Sequence, residues 1–380
     1  MRMRFFGHVV AWVAGPLMLG SAASALPPSV MEAYGVFSQA HAQGDTETAL
    51  MAARQAVEAA EAEGIAAGAM GSLLENYAFY LTQTGDFTEA EARWVQAANL
   101  AAGQDGMIRN VVWRFYNAAL VSLQLDDNEA GERAEAHLER AVEALESDSA
   151  LANGDAELVG QVRYLQTRMA FAAGRPNRML EPASQAIAAF EHSNRAPDQV
   201  YGLAHYYRGV AALYREQWAD ANYHMHLAGD VFAFVGQSRE DASRAWALMN
   251  YAQLVGEGSA MRGVAERLES SSLHALLVDV ETGTRPERPG LIPAVLQEQR
   301  AVRYPQMAAS SGIEGIVVAQ FDVSEDGQPE NFEIVMEVPR GVFDTAVEGA
   351  ISDWEFEPAR LGGQTVREEG RVYHFTFKLR

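Results

Sequence analysis

Few residues in this 380-residue chain have the type and spacing that chemistry requires. The clearest is the pair of imidazoles in His224-Met225-His226. On a helix, side chains two positions apart point to different faces, so these rings do not converge on one ion. No metal site is expected there. No HExxH, GxSxG or P-loop pattern occurs anywhere in the chain. There is no cysteine, which excludes disulfides, thiolate metal sites and a cysteine nucleophile. Glu61-Ala62-Glu63 and Asp126-Asp127 read as solvated helix ends. Tyr201, Tyr206, Tyr207 and Tyr214 fall near helical spacing, which assigns them to a core or a groove. The expectation is a protein that is not an enzyme, with no catalytic residue, cofactor or metal.

Composition narrows the partners. Hydrophobic residues make up 48% of the chain and charged residues 21%, the balance of a soluble globular protein. The formal net charge is -22, so the surface repels phosphate backbones and no nucleic-acid partner is expected. Arg2 and Arg4 precede an apolar run from Phe5 to Leu19, and Ala23-Ser24-Ala25 offers small residues for cleavage. Residues 1–25 therefore read as a signal peptide, with a mature start at Leu26 in the periplasm. The apolar run is short of the ~20 residues of a spanning helix, and Gly15-Pro16 interrupts it. Membrane attachment, with an anchor in the inner membrane, requires that this segment stay uncleaved.

From Val30 to Ser272 the pattern is helical, with breaks at Gly44-Asp45, Gly64, Gly85-Asp86, Gly103 to Gly106, Asp126 to Asn128, Asn153-Gly154, Gly174 to Pro176, Ala196-Pro197 and Glu216-Gln217. Small and large apolar residues recur after these breaks at fixed offsets. The sets are Ala49, Ala53, Ala56; Ala90, Trp94, Ala97; Ala134, Leu138, Ala141; Met179, Ala183, Ala186; and Ala221, Met225, Ala228. The period is forty-one to forty-five residues. Gly85-Asp86-Phe87, Ala90, Trp94 and Ala97 resemble the second-helix half of the tetratricopeptide repeat. Small residues let two helices approach closely, and the large residue between them fills the space toward the next repeat. Residues 26–280 are thus expected to form a helical-repeat domain, with Ser238 to Gly256 as the last long helix and Ser259 to Ser272 as a cap.

The Pro-, Gly- and charge-rich stretch 281–290 reads as a linker to a tail at 291–380. There the period changes. Gln306 to Ser310 reads as a short helix. One strand alternates through Val317, Ala319, Phe321 and Val323, and a second through Phe332, Ile334 and Met336, with a turn at Asp326-Gly327 between them. Gly341 to Asp353 reads as a helix, and a closing strand runs from Val372 to Leu379. Tyr304-Pro305, Gly312-Ile313-Glu314-Gly315, Asp326-Gly327, Phe343-Asp344, Trp354-Glu355-Phe356-Glu357-Pro358 and Phe375-Thr376-Phe377 together resemble the TonB C-terminal domain family in order and spacing.

The fold class expected is an α-helical solenoid (tetratricopeptide-like) followed by a small α+β domain with a three-stranded antiparallel sheet and one helix. The resemblance implies that an extended peptide, the Ton box of an outer-membrane transporter, pairs with the closing strand by β-augmentation. By position the partner-binding residues are Val372, Tyr373, His374, Phe375 and Thr376, with Tyr304 nearby. The function expected is a periplasmic protein-binding adaptor whose tail engages a TonB-dependent transporter or another envelope protein, while the repeats hold a second partner. The alternative is an anchored TonB-type energy transducer. Against it stand His8 without the family's anchor spacing, helical repeats in place of a Pro-rich spacer, and Gln306-Met307 where the family often has a basic residue.

Overall fold

A computed structural model describes residues 26–193, 195–235, 239–256, 261, 263–277 and 290–379. The expected signal peptide and linker residues 281–289 lie outside the described residues. By packing, the chain divides into one compact unit ending at Val162 and a second running from Arg163 to the C-terminus. Among the described residues no helix is long and apolar enough to cross a membrane.

The first unit is helical: α1 (Pro28–Gln43), α2 (Thr46–Glu63), α3 (Ala67–Thr84), α4 (Phe87–Ala101), α5 (Ile108–Ser122), α6 (Ala130–Ser147), α7 (Ser149–Gly154) and the start of α8 (Ala156–Ala172). From α1 to α6, each helix packs on the next. The junctions follow from the sequence. Gly44 and Gly85 end their helices at positive φ, and the next residue caps the following helix. Asp45 accepts from the Thr48 N–H at 3.1 Å, and Asp86 from that of Glu89 at 3.3 Å. Ala49, Ala53, Ala56, Ala90, Trp94 and Ala97 are all buried in one core cluster, as the repeat pattern requires. An additional break falls at Asp148, whose carboxylate caps α7 by accepting from Ala150 N and Leu151 N.

The second unit continues with α9 (Leu180–His192), α10 (Gln199–Tyr214), α11 (Trp218–Val235), α12 (Arg239–Val255), α13 (Val264–Glu269) and α14 (Ser272–Leu276). α10 packs on α9 and α11, and α11 packs on α12 and α13. The single cap expected over Ser259 to Ser272 is instead the pair α13 and α14. The Ser271 hydroxyl accepts from His274 N at 3.2 Å, so the chain starts a new helix where one was expected to end.

The tail then forms β1 (Leu291–Ile292), β2 (Val295–Glu298), α15 (Gln306–Ser310), β3 (Gly315–Val323), β4 (Pro329–Val338), α16 (Asp344–Ile351), β5 (Glu355–Glu357), β6 (Arg360–Leu361), β7 (Gln364–Thr365) and β8 (Glu368–Phe377). The main sheet has the order β4-β3-β8, all antiparallel. Short pairings join β1, β6 and β7, and β2 with β5. Val317, Ala319, Phe321 and Val323 form one core with Phe343, Val347, Ile351 and Trp354, so α16 covers one face of the sheet.

Two expectations shift. In β4, Ala319 pairs with Ile334 but Val318 pairs with Met336, so Val335 is an extra residue. That bulge sends Met336 to the face opposite Phe332 and Ile334. The helix expected from Gly341 begins only at Asp344. The segment before it is a turn held by the buried Glu337 carboxylate, which accepts from the N–H groups of Gly341, Val342, Phe343 and Asp344 at 2.6–3.0 Å. These are the orphan donors of a helix start, satisfied here from a neighbouring strand.

Candidate functional site

β8 is built as an edge. β3 pairs with it on one side, from Gly315 opposite Phe377 to Val323 opposite Glu368. Among the described residues no strand lies on its other side. From Arg371 to Thr376 every residue is half-buried.

The two faces of β8 are already engaged. Tyr373 lies against Phe321 and Trp354, with ring centroids 5.8 and 5.0 Å away, and Phe375 is 5.8 Å from Trp354. On the opposite face, Val372 packs into the core cluster that includes α10, α11 and α12. His374 bonds to the Tyr251 hydroxyl and sits edge-on to Trp218 at 5.3 Å. Burial, opposed by Glu216 and assisted by Lys378, holds the His374 imidazole below its ordinary pKa. The Thr376 hydroxyl is buried. Tyr304 does not line the edge with its ring. It stands edge-on to Phe343 and Phe377, and its hydroxyl donates to the Ile313 carbonyl at 2.7 Å. What β8 offers a partner is therefore its backbone more than its side chains.

The motif residues explain how this edge is positioned. Glu314 accepts from Leu379 N at 2.8 Å, which fixes the end of the closing strand, and from the Tyr214 hydroxyl at 3.0 Å. Burial and that carboxylate push the Tyr214 phenol up to about 12. A Cβ at Gly315 would meet the Val338 carbonyl oxygen at 2.2 Å and the Phe343 ring at 2.5 Å, so only glycine lets β3 approach the end of β4 and the turn before α16 this closely. Gly327 has φ of 83°, and a Cβ there would meet the Phe356 carbonyl oxygen at 2.0 Å.

The second face of the sheet is also covered, which the motifs of the tail do not announce. Ile316, Val318, Val335, Met336 and Val338 pack with Tyr207, Val210, Leu213 and Tyr214 of α10 and with Leu248, Met249 and Tyr251 of α12 in one cluster. The signal was present in Ile316-Val317-Val318-Ala319. A run that is apolar at every position, not every second one, marks a strand covered on both faces.

The imidazoles of the opening motif separate as their spacing requires. His224 Nδ1 lies 3.0 Å from His205 Nδ1, and both side chains are buried. Burial, with Arg208 acting in the same sense, lowers His205 to about 3. His224 is likewise lowered, by burial, His205, Arg208 and Arg267. The folded state thus holds both rings neutral. Their stabilising contribution is complete above the unfolded value of 6.5 and is lost as pH falls from there toward the folded values. At pH 5 the loss is roughly 2 kcal/mol for His205, and His224 adds to it in the same direction. Urea unfolding at pH 7.5 and pH 5 checks it: His205→Phe/His224→Leu should lose less on acidification than the parent chain, and equal losses would sink the assignment.

Comparison with known proteins bears on the tail. Residues 300–379 match the family model described as the Gram-negative bacterial TonB protein C-terminal. Protein TonB of Pseudomonas aeruginosa is 36% identical over 78 residues, 20% of this chain and 23% of that protein. Protein TonB of Escherichia coli strain K12 is 34% identical over 77 residues, 20% of this chain and 30% of that protein. The chain therefore spans less than a third of the length of these curated relatives. The solution structure of the Pseudomonas aeruginosa TonB C-terminal domain aligns at 30% identity and a TM-score of 0.21, over 24% of this chain and 90% of that one.

Proposed function

We propose that this protein is a periplasmic adaptor whose tail captures an extended peptide of an outer-membrane transporter by adding it as a fourth strand beside β8. The observation that carries the reading is the strand order β4-β3-β8, which leaves the outer backbone of β8 without a neighbouring strand among the described residues. The similarity of residues 300–379 to TonB C-terminal domains supports the choice of partner. An unpaired row of N–H and C=O groups is a template for another strand. Because Tyr373 and Phe375 rest on Trp354, and His374 on Tyr251, the template is held straight before a partner arrives. Such preorganisation reduces the ordering cost of binding.

In this reading residues 1–25 are a cleaved signal peptide, 26–280 the helical repeats, 281–290 a linker and 291–380 the tail. The repeats hold a second protein. Similarity to proteins named TonB also supports an anchored energy transducer. That reading requires residues 1–25 to remain as a membrane anchor.

Amide hydrogen exchange on the full chain tests the edge. A synthetic peptide carrying a transporter Ton box should slow exchange at alternate residues from Arg371 to Phe377 and leave β4 unchanged. Alternation is expected because only every second backbone unit of an edge strand faces outward. Protection confined to β4, or spread over the helices with none in β8, would remove the proposal.

A further inference from the structure

Three side chains outside the tail converge without bonding to one another. His226 and Asp230 are one helical turn apart on α11, where i, i+4 positions share a face. His274 comes from α14, which is set against α11 by Leu273 and Leu277, both buried in the shared core. His226 Nε2 lies 3.1 Å from Asp230 Oδ2, and His274 Nδ1 lies 3.8 Å from the same oxygen. All three ligand atoms fall within 4.8 Å of one another.

Each of these atoms is buried, and none has a hydrogen-bond partner among the described residues. The two shorter separations are within ion-pair reach, yet the atoms are not aligned for donation. All three lie close enough together for one ion to reach them. Around a tetrahedral ion with bonds of about 2.0–2.1 Å, neighbouring ligand atoms stand roughly 3.3 Å apart. The observed 3.1 and 3.8 Å bracket that spacing. The carboxylate is also prepared for the task. Asp230 is only 1% exposed, and its other oxygen accepts from Trp246 Nε1 at 3.2 Å, which fixes the plane of the group. Burying a charged carboxylate is costly, and a bound cation offsets that cost.

We propose that His226, Asp230 and His274 form a binding site for a divalent cation of the zinc class. Two imidazoles and one carboxylate suit zinc and its first-row neighbours, whereas magnesium and calcium prefer oxygen ligands throughout. Three protein ligands leave one position for water. The histidine side chains are 16% and 27% exposed, so the site lies beneath partly exposed rings. The ion bridges α11 and α14 and so fastens the short helix that a single serine cap otherwise starts.

Equilibrium dialysis of the metal-free full chain against zinc chloride tests the site. One equivalent is expected to bind, and His274→Ala should weaken binding at least about tenfold. His192→Ala, which removes an exposed imidazole elsewhere, should change nothing. Trp246→Phe should also weaken binding by about tenfold, because it frees the carboxylate without touching a ligand. Zinc should slow amide exchange in α14 of the parent chain. Cobalt should give the visible absorption of a nitrogen-ligated ion in the parent chain and not in His274→Ala. Absence of stoichiometric zinc, unchanged affinity in His274→Ala, or equal preference for magnesium would overturn the proposal.

Discussion

Replacing Trp354 by alanine is expected to lower the free energy of opening the tail by about 3–5 kcal/mol. The indole is fully buried and packed against Phe321, Phe356, Tyr373 and Phe375. Its Nε1 donates to the Arg300 carbonyl at 3.0 Å. Alanine removes the apolar area, leaves a cavity among rings that cannot collapse far, and strands a carbonyl. Exchange of the β3 amides in the native full chain reads the effect, because these groups are released only when the sheet opens. A loss under about 1 kcal/mol would mean that the neighbouring rings close the hole. Trp354 also supports β8 through Tyr373 and Phe375, so the same variant should weaken capture of a strand-forming peptide. The isolated tail is a poor subject for this measurement, since it would expose Ile316, Val318 and Met336.

The repeat was legible because its signal is local. A glycine ends a helix and an aspartate starts the next, and both effects act within one turn. Every small or large apolar position named for the five repeats, from Ala49 to Ala228, is buried. The order of the tail's three long strands and two helices was legible for the same reason, down to Gln306–Ser310, whereas the short strands β1, β2, β5, β6 and β7 were not. What the sequence hid depends on contacts between distant residues. The bulge at Val335 shows no glycine or proline, and only the register with β3 reveals it. Glu337 looks like a solvated strand residue until the turn at Gly341 folds over it. His274 stands 48 positions from His226, and nothing in either neighbourhood announces the other. Helical spacing separates His224 from His226, but it carries no information about Asp230 and α14.

The edge strand shows where family motifs and function part company. Tyr304, Glu314, Gly315, Trp354 and Phe356 are the residues by which the tail resembles its relatives, and each is used inside the fold. They fix the end of β8, the approach of β3 to α16, and the platform under Tyr373. A backbone edge carries no side-chain signature of its own. The motif therefore marks the scaffold that holds the edge, and the backbone groups proposed to receive a partner have no signature in the sequence.

Arg114→Met is expected to destabilise the first unit by about 3–5 kcal/mol, as breaking one half of a buried ion pair does. Arg114 on α5 is fully buried. Its Nε donates to Glu75 Oε2 on α3 at 2.7 Å, and an Nη donates to the Ala97 carbonyl on α4 at 2.9 Å. One guanidinium thus ties three successive helices. Burial pushes the Glu75 carboxyl up, against the pull of Arg114. With the guanidinium gone, that carboxylate must either stay charged without a partner or take up a proton, and both cost stability. The double variant Arg114→Met/Glu75→Leu separates electrostatics from shape. Removing both charges also removes both desolvation penalties, so urea unfolding should show most of the loss recovered. If the double variant remains as unstable as the single one, the arginine acts through its volume and its bond to Ala97. The hint was readable in part: Glu75 directly follows Leu73-Leu74, and Arg114 stands between Trp113 and Phe115. Two such charges of opposite sign, on helices that the repeat pattern brings close, are better read as a buried pair than as two exposed residues.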